Sequence, residues 1–281
     1  METSDTRNAA EAERKYALGH TDRELVRLEA QARLVDPITR RFFRDAGIAP
    51  GMRVLDVGSG AGDVAFLAAE MVGSSGEVVG ADPGRAALVV ARRRAAERSI
   101  GSVTFHDGDP AEMKFDRPFD AVVGRYVLMF MPDPVVALRK LIGLLKPGGV
   151  VVFHEVDLTD ARSHPPASTF DQCFRWNEAT LRLCGADTQM GLKLHATFLA
   201  AGLPAPTMRL EAAIGGGGFS EGPAFVAAEL TRTLLPDLLR LGVATADEVQ
   251  VETLADRMRT EIAAGNSVVA RHSEIGAWTR V

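Results

Sequence analysis

The chain has 281 residues, 46% of them hydrophobic, and a formal net charge of −5 at neutral pH. That size and apolar content suffice to bury a full core, as one large domain or one domain with a cap. The acidic balance supplies no basic field for gripping phosphate backbones, which disfavours nucleic acid as a partner. No apolar run reaches the length of a membrane span, and residues 1–14 carry charge without a hydrophobic signal core, so no membrane partner and a cytoplasmic location are expected. Cys173 and Cys184 stand apart without a CxxC pattern or clustered histidines, which predicts free thiols and no metal site.

In chain order, residues 1–20 lack periodicity; Thr21-x-x-Glu24 then spells a capping box, with Leu25, Leu28 and Ala32 on one apolar face. Asp36-Pro37 reads as an N-cap followed by a first-turn proline, so a second helix bearing Ile38, Phe42 and Phe43 is expected, ending before Gly47. Together these predict an N-terminal helical cap over residues 1–46. The run Val54-Leu55-Asp56-Val57-Gly58-Ser59-Gly60-Ala61-Gly62-Asp63 reads as a buried strand breaking into a glycine loop. A helix bearing Val64, Leu67, Ala68 and Met71 follows at helical spacing.

Short β-branched runs and helical patterns then alternate, the mark of a parallel sheet wrapped on both faces. Strands are expected near Arg53–Val57, Glu77–Ala81, Val103–His106, Asp120–Gly124 and Val150–Glu155. Between the second and third, Arg92-Arg93-Arg94 reads as a solvated helix face. Before the fifth, Asp133 caps a helix with Pro134 at its first position and Val135, Leu138, Ile142 and Leu145 along one face, stopped by Lys146-Pro147-Gly148-Gly149. After Val156 the alternation lapses into a cap insertion at about 156–192. A helix at 193–201 and a sixth strand at Thr207–Ala212 follow, then a second insertion at about 215–265. The latter holds two helices, the second opened by the box Thr245-x-x-Glu248 with the stripe Val251, Leu254, Met258, Ile262; Ser267–Trp278 forms the last strand. Phe170, Phe174, Trp176, Met190, Phe219 and Phe225 in these insertions suggest a roofed pocket for a small, partly apolar molecule.

Glycines 58 and 60 remove Cβ atoms where the backbone turns sharply and nears a ligand, and the N–H groups that open the next helix attract negative charge. The loop departs from the dinucleotide fingerprint, because Asp63 stands where the third glycine of G-x-G-x-x-G would be. The spelling D-x-G-x-G-x-G instead resembles the first motif of class I S-adenosylmethionine-dependent methyltransferases. That resemblance covers roughly residues 20–155 and implies an α/β, Rossmann-like, doubly wound and mostly parallel seven-stranded sheet. Its last strand is antiparallel, and helical cap elements decorate a methyltransferase domain over 47–281.

The resemblance further implies that Asp56 and the loop residues Gly58, Ser59 and Gly60 hold the methionine end of S-adenosylmethionine, with S-adenosylhomocysteine as product. Ligands in such sheets bind beyond the carboxyl ends of the strands, so each strand end offers a candidate. Asp82, followed by Pro83, stands twenty residues past Gly62, where a carboxylate can accept from both ribose hydroxyls. Asp109 matches the family's adenine-binding acid, but Pro110 after it lacks the N–H with which the family meets the adenine ring. Arg125, just past the fourth strand, matches a position of cofactor or substrate contact. Tyr16 and Gln31 could also meet cofactor or substrate.

Methyl transfer is mainly a matter of alignment, and a base is needed only where the acceptor must lose a proton. His154 is the first candidate base by position, with Glu155, Asp157 and His195 as alternatives. The function expected is methylation of a small-molecule acceptor, a specialised metabolite or quinone-like compound, by a monomer or homodimer. The competing readings are an NAD-dependent oxidoreductase and a non-catalytic cofactor-binding scaffold.

Overall fold

The computed structural model describes residues 22–281, with side chains described from Val26 onward. The expected Thr21 cap and Tyr16 therefore lie outside the described residues. The chain divides into two compact units. One comprises Val35–Asp157, Gln189–Ala212 and Ser273–Val281; the other comprises Leu158–Thr188, Ala213–His272 and the described part of the chain up to Leu34.

The first unit holds a seven-stranded sheet formed by β1 (Arg53–Val57), β2 (Glu77–Asp82), β3 (Val103–Asp107), β4 (Phe119–Arg125), β5 (Leu145–Asp157), β7 (Thr207–Glu211) and β10 (Ser273–Arg280), in the order β3-β2-β1-β4-β5-β10-β7. Strands β1 to β5 pair in parallel, and β10 lies antiparallel to both β5 and β7. All five residues of β1 are buried, as expected of a central strand covered on both faces. The helices on the sheet are α2 (Asp63–Val72), α3 (Arg85–Glu97), α4 (Pro134–Ile142) and α6 (Met190–Ala200). Ala65, Leu67, Leu88, Phe105, Val123 and Val152 are among the residues of one shared apolar core. The expected doubly wound sheet with an antiparallel last strand is the observed one.

Register places the strand ends level with one another. Val57 pairs with Ala81 and Gly124, Asp82 with Asp107, and Arg125 with His154, so the segments leaving β1 to β4 emerge along one edge.

Several expected boundaries differ. The two N-terminal helices are one, α1 (Asp22–Ala46), which runs through Pro37. An interior proline costs roughly 3 kcal/mol or more, and the burial of Ile38, Thr39, Phe42 and Phe43 just beyond it offsets that cost. Asp36 does not cap; its carboxylate pairs with Arg125. Helix α4 ends at Ile142, and Leu145 already pairs with Phe119, with a register shift before Ala121 meets Val150.

The second unit is built on a three-stranded antiparallel sheet, β6 (Arg162–His164), β9 (Val268–Ala270) and β8 (Ile214–Gly215), in the order β6-β9-β8. Helices α5 (Ser168–Leu183), α7 (Glu221–Arg240), α8 (Ala246–Val249) and α9 (Leu254–Gly265) surround a core that includes Phe170, Phe174, Trp176, Leu238, Met258 and Val269. Here the expected last strand is cut in two: 268–270 belongs to the small sheet and 273–280 to the large one. The aromatic residues expected to roof a pocket serve this core instead, except Phe219, which is exposed, and Phe225, which is half-buried; Met190 is buried in the first unit. Burial pushes the Cys173 thiol up to about 12, and Cys184 is also free, so neither is set up as a nucleophile.

The Thr245/Glu248 capping box is present in both directions, but it closes a single turn that ends at the left-handed Gln250; the stripe Leu254, Met258, Ile262 belongs to α9. Thr245→Ala should lower stability by about 1 kcal/mol, read as a shifted urea midpoint with unchanged slope.

Candidate cofactor site

Strand β1 delivers Asp56 and Val57 to the loop, where Gly58, Gly60 and Gly62 all take positive φ. Gly60 shows why: its φ of +49 disfavours any side chain, and nothing lies within 4 Å of where its Cβ would be, so the loop is open at that point. Around it, the Gly58 and Ser59 amides donate to the Ala81 carbonyl of β2 and the Gly62 amide to Ser59. The Gly60 amide donates to Asp82 Oδ2 at 2.9 Å. The loop is therefore held by β2 as much as by its own glycines.

Asp56 is the most unusual residue at this edge. It is 1% exposed, and neither carboxylate oxygen has a hydrogen-bond partner. Burial pushes its carboxyl well above the ordinary range; Arg125 opposes this, Asp82 and Asp63 reinforce it, and the Ala65 amide offers slight relief. Buried carboxylates normally have partners because an unsatisfied one costs the full desolvation of the group. The Ser59 hydroxyl beside the loop is likewise buried and unpartnered. Two orphaned acceptors beside an open glycine fit a ligand that brings a cationic or N–H donor group, as the α-ammonium of S-adenosylmethionine does. The residues present thus fit the methionine end of that cofactor.

Asp82 is fully buried and spends its oxygens on backbone: Oδ2 on Gly60 and Oδ1 on the Gly84 amide at 2.6 Å. Pro83 next to it is exposed. Asp109 is exposed at the turn after β3, and its Oδ1 accepts from the Ala111 amide at 2.9 Å, while Pro110 is buried. Turn chemistry thus accounts for one oxygen of Asp109.

Arg125 is turned inward rather than free: Nη1 donates to Asp36 Oδ1 at 2.7 Å and to Thr39 Oγ1 at 2.9 Å. His154 is 0% exposed. Its Nδ1 faces Thr39 Oγ1 at 3.1 Å and its Nε2 faces Glu274 Oε2 at 2.9 Å, with Phe42 edge-on to the ring. Glu155 points to the other side, where its Oε1 accepts from the Val127 and Leu128 amides at 2.9 and 2.8 Å. Asp157 is buried, and His195 lies exposed on α6. Gln31 accepts from Arg27 within α1. Among the described residues no group of three or more His, Cys, Asp or Glu side chains could hold a metal.

Asp63, the residue that breaks the dinucleotide pattern, pairs with Arg94 of α3 at 2.7 Å, and Arg94 Nη1 also donates to the Ala61 carbonyl at 2.7 Å. Arg94 is therefore buried, against the solvated face expected for the arginine run; Arg92 and Arg93 are exposed. Sequence reasoning missed Glu274 and Thr39, since a single Glu in a strand and a Thr in a helix carry no local signal of a shared partner.

The curated proteins that part of the chain resembles include two methyltransferases. Demethylmenaquinone methyltransferase of Staphylococcus aureus (strain MRSA252) is 37% identical over 136 residues, covering 48% of this chain and 53% of that protein. Aklanonic acid methyltransferase DauC of Streptomyces sp. (strain C5) is 38% identical over 118 residues, covering 42% and 54%. The chain thus spans about half the length of the curated relatives it matches. Among solved structures, a candidate methyltransferase of Bacillus halodurans, BH2331, superposes with a TM-score of 0.54 at 19% identity over 85% of this chain and 96% of that one, a likeness of fold. The oxidoreductase reading is not favoured. Residues 48–201, more than half of the chain, match the family described as "Methyltransferase domain", and with the glycine loop and sheet order above the chain belongs to that family, in its class I, S-adenosylmethionine-dependent branch.

Proposed function

We propose that the protein is a methyltransferase that uses S-adenosylmethionine to methylate a small molecule, a specialised metabolite or quinone-like compound. The observation that carries this is Asp56, a buried carboxylate without a partner at the end of β1 beside an open glycine. Asp56, Gly58, Ser59 and Gly60 would hold the methionine end, Asp82 and Pro83 the ribose, and Asp109 and Pro110 the adenine. Asp82 keeps acceptor capacity because a carboxylate oxygen accepts more than one donor. Arg125 contributes to the same edge through its charge, which favours the ionised form of Asp56. When bound, S-adenosylmethionine supplies an electrophilic methyl group on a good leaving group and departs as S-adenosylhomocysteine.

A base must reach the acceptor's proton, directly or through one water. His154, fully buried with both ring nitrogens facing partners, suits a supporting role better than that of base. Substrates like those named for the two relatives, a cytoplasmic location and a monomer or homodimer complete the proposal. Among the described residues no helix is long and apolar enough to cross a membrane.

Incubation with methyl-labelled S-adenosylmethionine and either demethylmenaquinone, aklanonic acid or an extract of the source organism, followed by mass analysis, is the test. A labelled small molecule is expected; tight cofactor binding with no labelled acceptor would favour the scaffold reading.

A further inference from the structure

Immediately after β4 the backbone takes a costly turn. Tyr126 has a φ of +55, a left-handed conformation that bulky residues rarely adopt and that persists only where the surroundings impose it. Three groups impose it here. The Tyr126 amide donates to the His154 carbonyl at 2.9 Å. Its phenol donates to Glu274 Oε2 at 2.6 Å, the same oxygen that faces His154 Nε2 at 2.9 Å. The next two amides are held by Glu155, as described above.

A carboxylate only accepts, so His154 presents Nε2–H to Glu274; its Nδ1 lies 3.1 Å from the Thr39 hydroxyl, which is also 3.2 Å from the Val35 carbonyl and accepts from Arg125. Five polar side chains, Arg125, Thr39, His154, Glu274 and Tyr126, thus form one chain of hydrogen bonds through a region where aliphatic packing would avoid the desolvation cost. The turn they fix has one consequence at the glycine loop. Val127 is driven between two glycines: a Cβ on Gly58 would stand 2.5 Å from Val127 Cγ2, and one on Gly124 2.8 Å from its Cγ1. Gly58 is the first glycine of the proposed cofactor loop, and its conformation is set against that valine.

We infer that Tyr126, Glu274 and His154 are positioning residues for the cofactor, which act by locking the strained turn so that Val127 braces Gly58 and holds the loop in its binding shape. The inference rests on the cofactor reading proposed above. It also gives His154 a task that needs no access to substrate.

Calorimetric titration with S-adenosylhomocysteine tests it on the whole chain, in the wild type, Tyr126→Phe, Glu274→Gln, the double variant and Val127→Ala. Each single change at Tyr126 or Glu274 should weaken binding about tenfold, the size of one hydrogen bond to a charged group. The double variant should be no weaker than the worse single, because both remove the same clamp. Val127→Ala leaves every hydrogen bond in place and should also weaken binding, which keeps the test open if Glu274→Gln fails to fold. Tyr126 is one of two tyrosines in the chain, so subtracting the Tyr126→Phe signal isolates its absorbance change on ligand addition, and a change is expected. Variants that melt earlier yet bind as the wild type does, with a silent Tyr126 spectrum, overturn the inference alone. A wild type that does not bind overturns the proposed function and this inference with it.

Discussion

Asp56→Asn should make the protein more stable at pH 8 and weaken S-adenosylhomocysteine binding about 100-fold. The two effects share one cause, a buried carboxylate with no partner of its own. Because burial raises its proton affinity in the folded state above that in the unfolded chain, the folded protein binds the proton more tightly. The stability associated with this group is then complete below the ordinary carboxylate range and is lost as pH rises through the folded value. The amide does not titrate, so the variant's advantage should be present at pH 8 and shrink towards pH 4. Removing the desolvation cost of a titrating carboxyl at this buried position is worth about 1–3 kcal/mol, or about 2–4 °C in melting temperature per kcal/mol for domains near this size. Loss of a charged partner for the ligand's cationic group costs about 2–5 kcal/mol, and about 1.4 kcal/mol is a factor of ten. Melting curves at the two pH values and calorimetry would decide it. A variant that is less stable than wild type at pH 8, or one that binds the ligand equally well, would contradict the assignment.

Asp63→Ala should destabilise the fold by about 3–5 kcal/mol, the usual cost of stripping one partner from a buried ion pair. Arg94 is nearly enclosed: its guanidinium meets Asp63, the Ala61 carbonyl and the face of Phe66. Without Asp63 the charge stays buried and uncompensated, and α2 also loses the acidic residue of its first turn, which favours the positive end of the helix dipole. Adding Arg94→Met to Asp63→Ala should recover much of the loss, since replacing a whole buried pair by apolar groups is often near neutral. Urea denaturation of the two variants measures this. A loss below about 1 kcal/mol in Asp63→Ala would show the pair to be weak and would leave the departure from the dinucleotide pattern without a structural cause.

The sheet was legible because its information is local. Strands β1 to β5 announce themselves by β-branched runs, and Asp133-Pro134 sets the start of α4 with a side-chain cap on Val136. Where the sequence misled, a distant partner had outweighed a local rule. Asp36-Pro37 has the chemistry of a helix start, yet Arg125 draws Asp36 away and buried neighbours carry the helix through Pro37. Arg94 sits in a run that reads as solvated, and distant partners, Asp63 thirty-one residues earlier and the Ala61 carbonyl, keep it buried. A strand that is continuous in pattern from Ser267 to Trp278 is split because its two halves pair with different sheets. At the strand ends the residue types were readable but their present partners were not. Spacing singled out Asp82, and the resemblance singled out Asp109 and Arg125, without revealing that Gly60, Ala111 and Asp36 engage them. His154 drew attention as the histidine at the end of β5, while the Glu274 that fixes it comes from the last strand.

In the proposed complex the edge formed by the ends of β1, β2 and β3 grips one molecule of S-adenosylmethionine. A crystal structure of the protein grown with S-adenosylhomocysteine tests it most directly. The ligand is expected against the 58–62 loop, with a nitrogen donor on Asp56 and further contacts to Asp82 and Asp109. A ligand bound elsewhere, or one that leaves both Asp56 oxygens without a partner, would contradict it.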